Sequence, residues 1–308
     1  MESKVIVIAG PTCSGKTTLS LLLAEKTNSE IISADSRQIY KYLNIGTAKP
    51  SKYQLTKTRH HFIDILYPDE DFNVSKYENE SLKIIRDLLS QNKVPVVVGG
   101  SGLYIKALVD GIFDTVGTDE DYRKGLLEMR KNFGNEFLFS ELKKVDPNSA
   151  EKMLPQNWKR VIRALEVFHL TGKPIGVHHY EHKRTTEITF CQYGLMWDRV
   201  LLYQNIEKRV DDMIEHGLID EVKDILQMNY DEKLNSLNTV GYKEIISFIK
   251  GSIDLERAVE LIKRNTRRYA KRQLTWFKSD DRITWFDVKD KNSLSSIADE
   301  IIYREKLT

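Results

Sequence analysis

The segment GPTCSGKT, at residues 10–17, contains the residue types that bind phosphate. It fits the pattern G-x-x-x-x-G-K-[ST] and stands between an apolar run, VIVIA, and a helical pattern, TLSLLLAEK, which is the context that the pattern requires. The glycines let successive N–H groups face one anion, and the helix start adds its positive dipole end. The loop predicts a di- or triphosphate ligand without identifying it. The predicted phosphate-binding residues are Gly10, Pro11, Thr12, Cys13, Ser14, Gly15, Lys16 and Thr17.

Two side chains of this loop have specific predicted tasks. Lys16 is placed to reach a terminal phosphate, and Thr17 is placed to bind Mg²⁺. A lysine followed by a hydroxyl residue is the usual arrangement for these tasks in phosphate loops of this pattern. We therefore expect Mg²⁺ as the cofactor, with Thr17 as its protein ligand.

Asp35 is the next residue that could do chemistry. It ends the apolar segment IISAD, and ligands of open α/β sheets bind beyond the carboxyl ends of the strands. An aspartate there supports a metal ion or acts as a general base. The residue pattern alone favours the metal-related interpretation and leaves the general base as the second one.

Composition predicts a globular, cytoplasmic protein. The chain has 308 residues, a net charge of +2, and 41% hydrophobic against 30% charged residues. Its two cysteines, Cys13 and Cys191, cannot form a disulfide framework, which suits a reducing compartment. We find neither a signal peptide nor a membrane-spanning segment in the sequence and expect no membrane partner. Nothing in the sequence demands more than a monomer.

Short apolar runs alternate with helical patterns at both ends of the chain, which predicts a parallel sheet with helices on both faces. The fold class is therefore α/β, with a P-loop NTPase-like core. The predicted strands are residues 5–9, 30–34, 94–98, 188–197 and 282–288, and the predicted core helices are 18–26, 74–92, 201–228 and 239–277.

A mainly helical insertion is predicted to interrupt this core. Residues 119–170 hold charged helical patterns, and residues 171–187 are polar and predicted to be irregular. The predicted domains are a core of residues 1–112 and 188–308 and an insertion of residues 113–187.

Two basic stretches predict a nucleic-acid partner. Residues 263–278 contain seven lysines and arginines and no acid, with Tyr269, Trp276 and Phe277 among them. Cations for phosphates beside aromatic rings for bases are typical of such a surface. The second stretch holds Lys159, Arg160 and Arg163, whose spacing places them on one helix face. For the first stretch, the alternative interpretation is a solvated basic helix face with aromatic residues in the core.

Longer segments make the family recognisable, and the chain resembles the tRNA dimethylallyltransferases, also called tRNA isopentenyltransferases, of the bacterial type. The resemblance covers nearly the whole chain. The segments that carry it are ADSRQIYKYLNIGTAKP (34–50), HHFIDI (60–65), VVVGGSGLYIKAL (96–108), KRVIRALEVFHLTGKP (159–174), RVDDMIEHGLIDEV (209–222), NTVGYKEI (238–245) and TRRYAKRQLTWF (266–277).

The resemblance implies transfer of a dimethylallyl group from dimethylallyl diphosphate to N6 of adenosine 37, in tRNAs that read codons beginning with U. The products are N6-(dimethylallyl)adenosine and diphosphate, so the loop would hold the diphosphate of the prenyl donor. The implied partner is the tRNA anticodon stem-loop, gripped by the insertion. The target adenine has to leave its stack to reach the buried donor.

The resemblance also assigns residues. It makes Asp35 the base that accepts the N6 proton, Ser101 a hydroxyl near the reacting centre, and Arg209 a contact of the diphosphate. Ser101 stands where the family usually has threonine, and Asn205 where many members have a second arginine. The residues implied or predicted to bind tRNA are Asp35, Ser36, Arg37, Gln38, Ser101, Arg123, Lys159, Arg160, Val161, Ile162, Arg163, Lys271 and Arg272.

Two other functions share the phosphate loop. A small-molecule or nucleotide kinase would explain the loop and a helical lid but leaves both basic stretches without a task. A non-catalytic RNA-binding NTPase would explain the basic stretches but leaves Asp35 and Ser101 without one.

Overall fold

The computed structural model describes residues 3–112, 117–181, 187–290 and 292–307. The chain divides into two compact units: Met1–Val109 with Thr186–Thr308, and Asp110–Thr185. The insertion predicted from the sequence spans residues 113–187. None of the helices in the described ranges is long and apolar enough to cross a membrane.

The first unit is built on a parallel sheet. Its strands are β1 (Lys4–Ala9), β2 (Ile31–Ser33), β3 (His60–His61), β4 (Val96–Val98), β5 (Thr189–Trp197) and β6 (Thr284–Val288), in the order β3-β2-β4-β1-β5-β6. Ile8 pairs with Val98 on one side and Tyr193 on the other, and Val98 pairs with Ser33. The loops that follow β1, β2 and β4 therefore leave the sheet at one edge.

Helices connect the strands and form the second unit. In chain order they are α1 (Lys16–Lys26), α2 (Lys52–Lys57), α3 (Val74–Ser90), α4 (Gly102–Asp110), α5 (Glu120–Val145), α6 (Pro147–Ala150), α7 (Trp158–Thr171), α8 (Ile175–Glu181), α9 (Arg199–Glu215), α10 (Leu218–Gln227), α11 (Tyr242–Ile249), α12 (Leu255–Phe277) and α13 (Ser293–Glu305).

Strand β1 shows why helices cover both faces of the sheet. Every residue from Val5 to Ala9 is buried, and successive side chains point to opposite faces. Val5 and Val7 pack into a core with residues of α3, α10, α11 and α12, whereas Ile6 and Ile8 pack with residues of α1 and α13. The predicted α/β class is confirmed.

Backbone turns divide two of the predicted long helices. Residues 201–228 form α9 and α10, because Gly217 adopts a positive φ of 95° between them. Residues 239–277 form α11 and α12, since Gly251 also has a positive φ and Asp254 caps the start of α12 by accepting a hydrogen bond from the Arg257 N–H. Each of the two ranges predicted to be helical therefore contains two helices separated by a turn.

The segment predicted to be irregular, residues 171–187, contains α8 in its described part. Gly172, at a φ of 68°, ends α7, and a second helix begins after Pro174. Glycine ends helices and proline precedes or begins them, so the same residues mark a boundary between two helices rather than an irregular stretch.

Candidate functional site

The phosphate loop adopts the backbone conformation that its glycines allow. Gly10, Cys13 and Gly15 all have positive φ angles, of 138°, 64° and 91°. Gly15 is the N-cap of α1 and has no side chain that could cap the first-turn N–H groups. Those N–H groups and the positive dipole end are thus presented to an anion at the start of α1.

Contacts on the outer side of the loop fix it to the rest of the first unit. The Trp197 Nε1–H donates to the carbonyl of Ser14 at 2.9 Å. The Thr12 N–H donates to Oε1 of Gln273 at 2.8 Å, and Nε2 of Gln273 donates to the Gly100 carbonyl at 2.9 Å. Buried Gln273 therefore joins the phosphate loop to the loop after β4.

Two cationic side chains stand at the phosphate loop. Nζ of Lys16 donates to the Pro11 carbonyl at 2.6 Å, and Nη1 of Arg209, from α9, donates to Oγ1 of Thr12 at 3.0 Å. Burial, and after it the positive charge of Arg209, lower the pKa of Lys16 to about 8, although Asp35 and Cys13 act in the opposite direction. An anion bound here would replace lost hydration and favour the charged lysine.

This pKa gives the affinity for a diphosphate an expected pH dependence. Below pH 8 Lys16 is already protonated, but as the pH rises through about 8 the free protein loses this ammonium. We therefore expect affinity for a non-hydrolysable thiolodiphosphate analogue to fall above pH 8, by up to about tenfold per pH unit. Calorimetry from pH 7 to 9.5 measures this, together with proton uptake on binding. A fall that persists in Lys16→Met would contradict the assignment.

Asp35 lies directly beyond the end of β2, held by its own turn. Its Oδ1 accepts a hydrogen bond from the Arg37 N–H at 2.8 Å. Oγ of Ser101, after β4, accepts one from the Ser36 N–H at 3.0 Å. The two strand ends approach closely at Gly99, where a Cβ would stand 2.0 Å from the Ala34 carbonyl oxygen. Only glycine permits this approach, which brings Ser101 to the Asp35 turn.

A cavity of about 320 Å³ joins the phosphate loop, Asp35 and Arg209. Thr12–Thr17, Asp35, Arg209 and Tyr269 line it, together with apolar wall residues that include Pro50 and Ile63. One part therefore suits a polyanion, and the wall suits a small apolar group. The cavity is also lined by Lys208 and Asp212 of α9 and by buried Gln273. None of these three was predicted from the sequence as a site residue. For Gln273 the only signal was that it directly follows Lys271 and Arg272.

The residues that could hold a divalent cation lie in the same cavity. The Thr17 hydroxyl and the Asp35 carboxylate both line it. These are hard oxygen donors, and Mg²⁺ usually binds through one or two protein oxygens, substrate phosphates and water. The donor set therefore fits a cation carried with the diphosphate.

The side chains after Asp35 already have protein partners. Nη1 of Arg37 donates to the carbonyl of Asn235 at 2.6 Å. Nε2 of Gln38 donates to the carbonyls of Thr47 and Ala48, both at 3.1 Å. The predicted contact of Gln38 with tRNA would thus have to use its amide oxygen, because the nitrogen holds the loop at residues 47–48.

In the second unit, helix α7 exposes some of the residues predicted to bind RNA and buries others. Lys159 and Arg160, on α7, are exposed. Val161 and Ile162 are buried in the core of that unit, with 0% and 4% of their surface exposed. The helix turns these apolar residues inward, where they support the exposed pair. Their binding to tRNA stays a prediction.

Arg123 and Arg163 share one buried carboxylate. Oε2 of Glu166 accepts from Nη2 of Arg123 and from Nη1 of Arg163, each at 2.8 Å, and Glu166 is fully buried. These two hydrogen-bonded guanidinium groups hold the pKa of Glu166 below its usual value against the effect of burial. The two arginines are therefore fixed side by side.

Helix α12 presents the other basic surface, on the first unit. Lys271 and Arg272 are exposed, as are the rings of Tyr269 and Trp276. The Arg272 guanidinium lies 5.8 Å from the centre of the Tyr269 ring. Because Gln273 on the same helix points to the phosphate loop, α12 connects a basic, aromatic surface with the cavity.

Comparisons with known proteins give consistent results. Residues 38–280 match the family described as IPP transferase. The tRNA dimethylallyltransferases of Acetivibrio thermocellus and Carboxydothermus hydrogenoformans are each 45% identical; the alignments cover 97% and 98% of this chain and 96% and 97% of theirs.

Solved structures agree with these sequence matches. The full-length tRNA isopentenylpyrophosphate transferase of Bacillus halodurans is 38% identical, with a TM-score of 0.72 over 99% of this chain and 98% of that one. A eukaryotic dimethylallyltransferase described as acting on tRNA is 29% identical, with a TM-score of 0.79 over 98% of this chain and 80% of that one.

Proposed function

The chain belongs to the IPP transferase family, and from this we propose that it transfers a dimethylallyl group from dimethylallyl diphosphate to N6 of adenosine 37 in tRNA. The substrates are tRNAs that read codons beginning with U, and the products are N6-(dimethylallyl)adenosine and diphosphate. Its relatives at 45% identity are tRNA dimethylallyltransferases along almost their full length, so the chain is a prenyltransferase.

One observation carries the proposal: a single cavity holds a phosphate loop with two cations, a carboxylate and an apolar wall. The loop N–H groups, Lys16 and Arg209 would bind the diphosphate. Ala48, Pro50 and Ile63 would then surround a five-carbon tail. Asp35, beyond the end of β2, would face the carbon to which the diphosphate is attached.

These residues supply the groups that the proposed prenyl transfer needs. The N6 lone pair attacks C1 of the dimethylallyl group, the C1–O bond breaks with its electrons going to the diphosphate, and Asp35 accepts the proton from N6. Lys16 and Arg209 stabilise the charge that grows on the departing oxygen. Asp35 needs to be correctly aimed to act as the base, and its bond from the Arg37 N–H aims it.

Mg²⁺ is the divalent cation that we propose for this site, with Thr17 as a ligand and Asp35 near it. When bound, it supplies positive charge to the diphosphate. Its removal by a chelator, followed by titration with Mg²⁺, Mn²⁺ or Ca²⁺ while diphosphate release is followed, tests this choice.

We further propose that the protein acts as a cytoplasmic monomer.

The tRNA anticodon stem-loop is the proposed macromolecular partner. Arg123, Lys159, Arg160 and Arg163 of the second unit, and Lys271 and Arg272 of α12, supply the cations for its phosphates. Unpaired bases are where proteins read RNA sequence, and an adenine that reacts inside a cavity has to leave its stack. The Tyr269 and Trp276 rings are suited to stack on exposed bases.

Replacing Lys159 or Arg160 by alanine is expected to weaken tRNA binding and to make the affinity less dependent on salt concentration. Each loses one phosphate contact, so the slope of log affinity against log salt concentration should become shallower by about 1. Filter binding between 50 and 300 mM KCl measures it. Lys144→Ala, an exposed lysine of the same unit paired with Glu141, is the control and should leave the slope unchanged. An unaltered slope in both variants would remove these residues from the interface.

The activity is tested by weighing RNA. Purified protein, Mg²⁺ and dimethylallyl diphosphate are mixed with an unmodified anticodon stem-loop, beside one in which adenosine 37 is replaced by guanosine. We expect a mass gain of one dimethylallyl group in the first RNA only. Phosphoryl transfer from ATP without any gain in RNA mass would favour a kinase, the alternative that the phosphate loop leaves open.

A further inference from the structure

Glu221 is a carboxylate of α10 that binds a loop far from it in the chain. Its Oε2 accepts from the N–H groups of Asn44 and Ile45, at 3.0 and 2.8 Å, and its Oε1 accepts from the Gly46 N–H at 3.2 Å. The Tyr242 hydroxyl donates to the same Oε1 at 2.6 Å. Four donors thus converge on one carboxylate. Hydrogen bonds to a charged acceptor are about twice as strong as hydrogen bonds between neutral groups.

The ring of Tyr242 holds the other side of the loop. Tyr242 is fully buried, and a Cβ on Gly46 would stand 2.4 Å from its ring. The loop therefore lies flat on the ring, with its N–H groups directed to Glu221. Burial and the negative charge of Glu221 raise the pKa of Tyr242 well above its usual value, so the hydroxyl stays a donor.

The residues that follow in this loop belong to the cavity. Thr47, Ala48 and Pro50 line it together with residues of the phosphate loop. The carbonyls of Thr47 and Ala48 also accept the amide of Gln38, three residues after Asp35. A shift of the backbone at residues 44–46 would consequently move both the apolar wall and the turn that carries the base.

We infer that Glu221 is a positioning residue that sets the size of the prenyl pocket, by anchoring residues 44–46 and through them the wall at residues 47–50. It is not among the residues that line the cavity. The inference rests on the proposed function, since it assigns the wall to the tail of an allylic diphosphate. Its consequence is discrimination between a five-carbon donor and a longer one.

The test compares donors in Glu221→Gln. The glutamine keeps the size of the side chain, but its amide nitrogen cannot accept hydrogen bonds, so the loop loses part of its anchor. We expect the ratio of kcat/KM for dimethylallyl diphosphate to that for geranyl diphosphate to fall about tenfold, a typical discrimination for a small change in an apolar pocket. Tyr242→Phe, which removes one donor and keeps the ring, should shift the ratio in the same direction by less.

Glu244→Gln is the matched control. Glu244 is also a buried glutamate of this region, but it accepts from the Gly241 N–H and from Nδ2 of Asn265, and it makes no bond to residues 44–48. Its loss should lower Tm without changing the donor ratio. If Glu221→Gln and Tyr242→Phe leave the donor ratio unchanged while the wild type transfers the prenyl group, Glu221 does not position the wall. If the wild type transfers no prenyl group, the proposed function fails instead.

Discussion

Replacing Asp35 by asparagine is expected to lower kcat by about 10²–10⁴, the usual contribution of a positioned general base. Asparagine cannot accept the N6 proton. Its side-chain oxygen can still accept the hydrogen bond that Oδ1 of Asp35 takes from the Arg37 N–H, so the turn at the end of β2 should keep its shape. Single-turnover measurement of prenylated RNA, with the protein in excess, isolates the chemical step.

The comparison with Asp35→Ala separates the two tasks of this carboxylate. Alanine removes the base and also the acceptor for the Arg37 N–H, so it should lose tRNA affinity as well as kcat. Asp35→Asn should bind the stem-loop as the wild type does. A nearly normal single-turnover rate in Asp35→Asn would mean that Asp35 only positions the turn and that the proton leaves by another route.

Replacing Lys16 by methionine is expected to have the second large effect. Lys16 stands at the phosphate loop beside Arg209, and its ammonium would stabilise the charge on the departing diphosphate. Removing one such preorganised donor typically lowers kcat by about 10²–10³, or about 2.7–4 kcal/mol of activation free energy. Methionine keeps the length and the apolar stem of the side chain, so the loss measures the charge.

Lys26→Met is the matched control for this experiment. Lys26 lies at the other end of α1, where it is exposed and pairs with Asp299 at 2.5 Å. Its loss should leave both kcat and diphosphate affinity unchanged, because an exposed ion pair contributes little. If Lys16→Met also left kcat nearly unchanged, the loop N–H groups and Arg209 would suffice to stabilise the departing diphosphate. The affinity for a diphosphate would then not be expected to fall above pH 8.

Contiguous segments are enough to predict a structural feature that depends only on neighbours in the chain. The phosphate loop and the Asp35 turn each need one strand end and the few residues after it, so their local sequence specifies them. The alternation of apolar runs and helical patterns indicated the parallel sheet, and that sheet brings the ends of β1, β2 and β4 to one edge. The helix boundaries at Gly217 and Gly251 were missed, because a helical pattern on both sides concealed the turns.

The sequence by itself determined the fold class, the phosphate loop, Asp35 and the basic surface of α12, because each depends on residue types at short, fixed spacings. Only the tertiary structure decided which distant residues support them. Gln273 meets Thr12 across 261 positions and Glu221 meets Asn44 across 177, and no local pattern encodes such a pairing. It also decided that Val161 and Ile162 face a core, since the periodicity of a helix marks an apolar face but not what covers it.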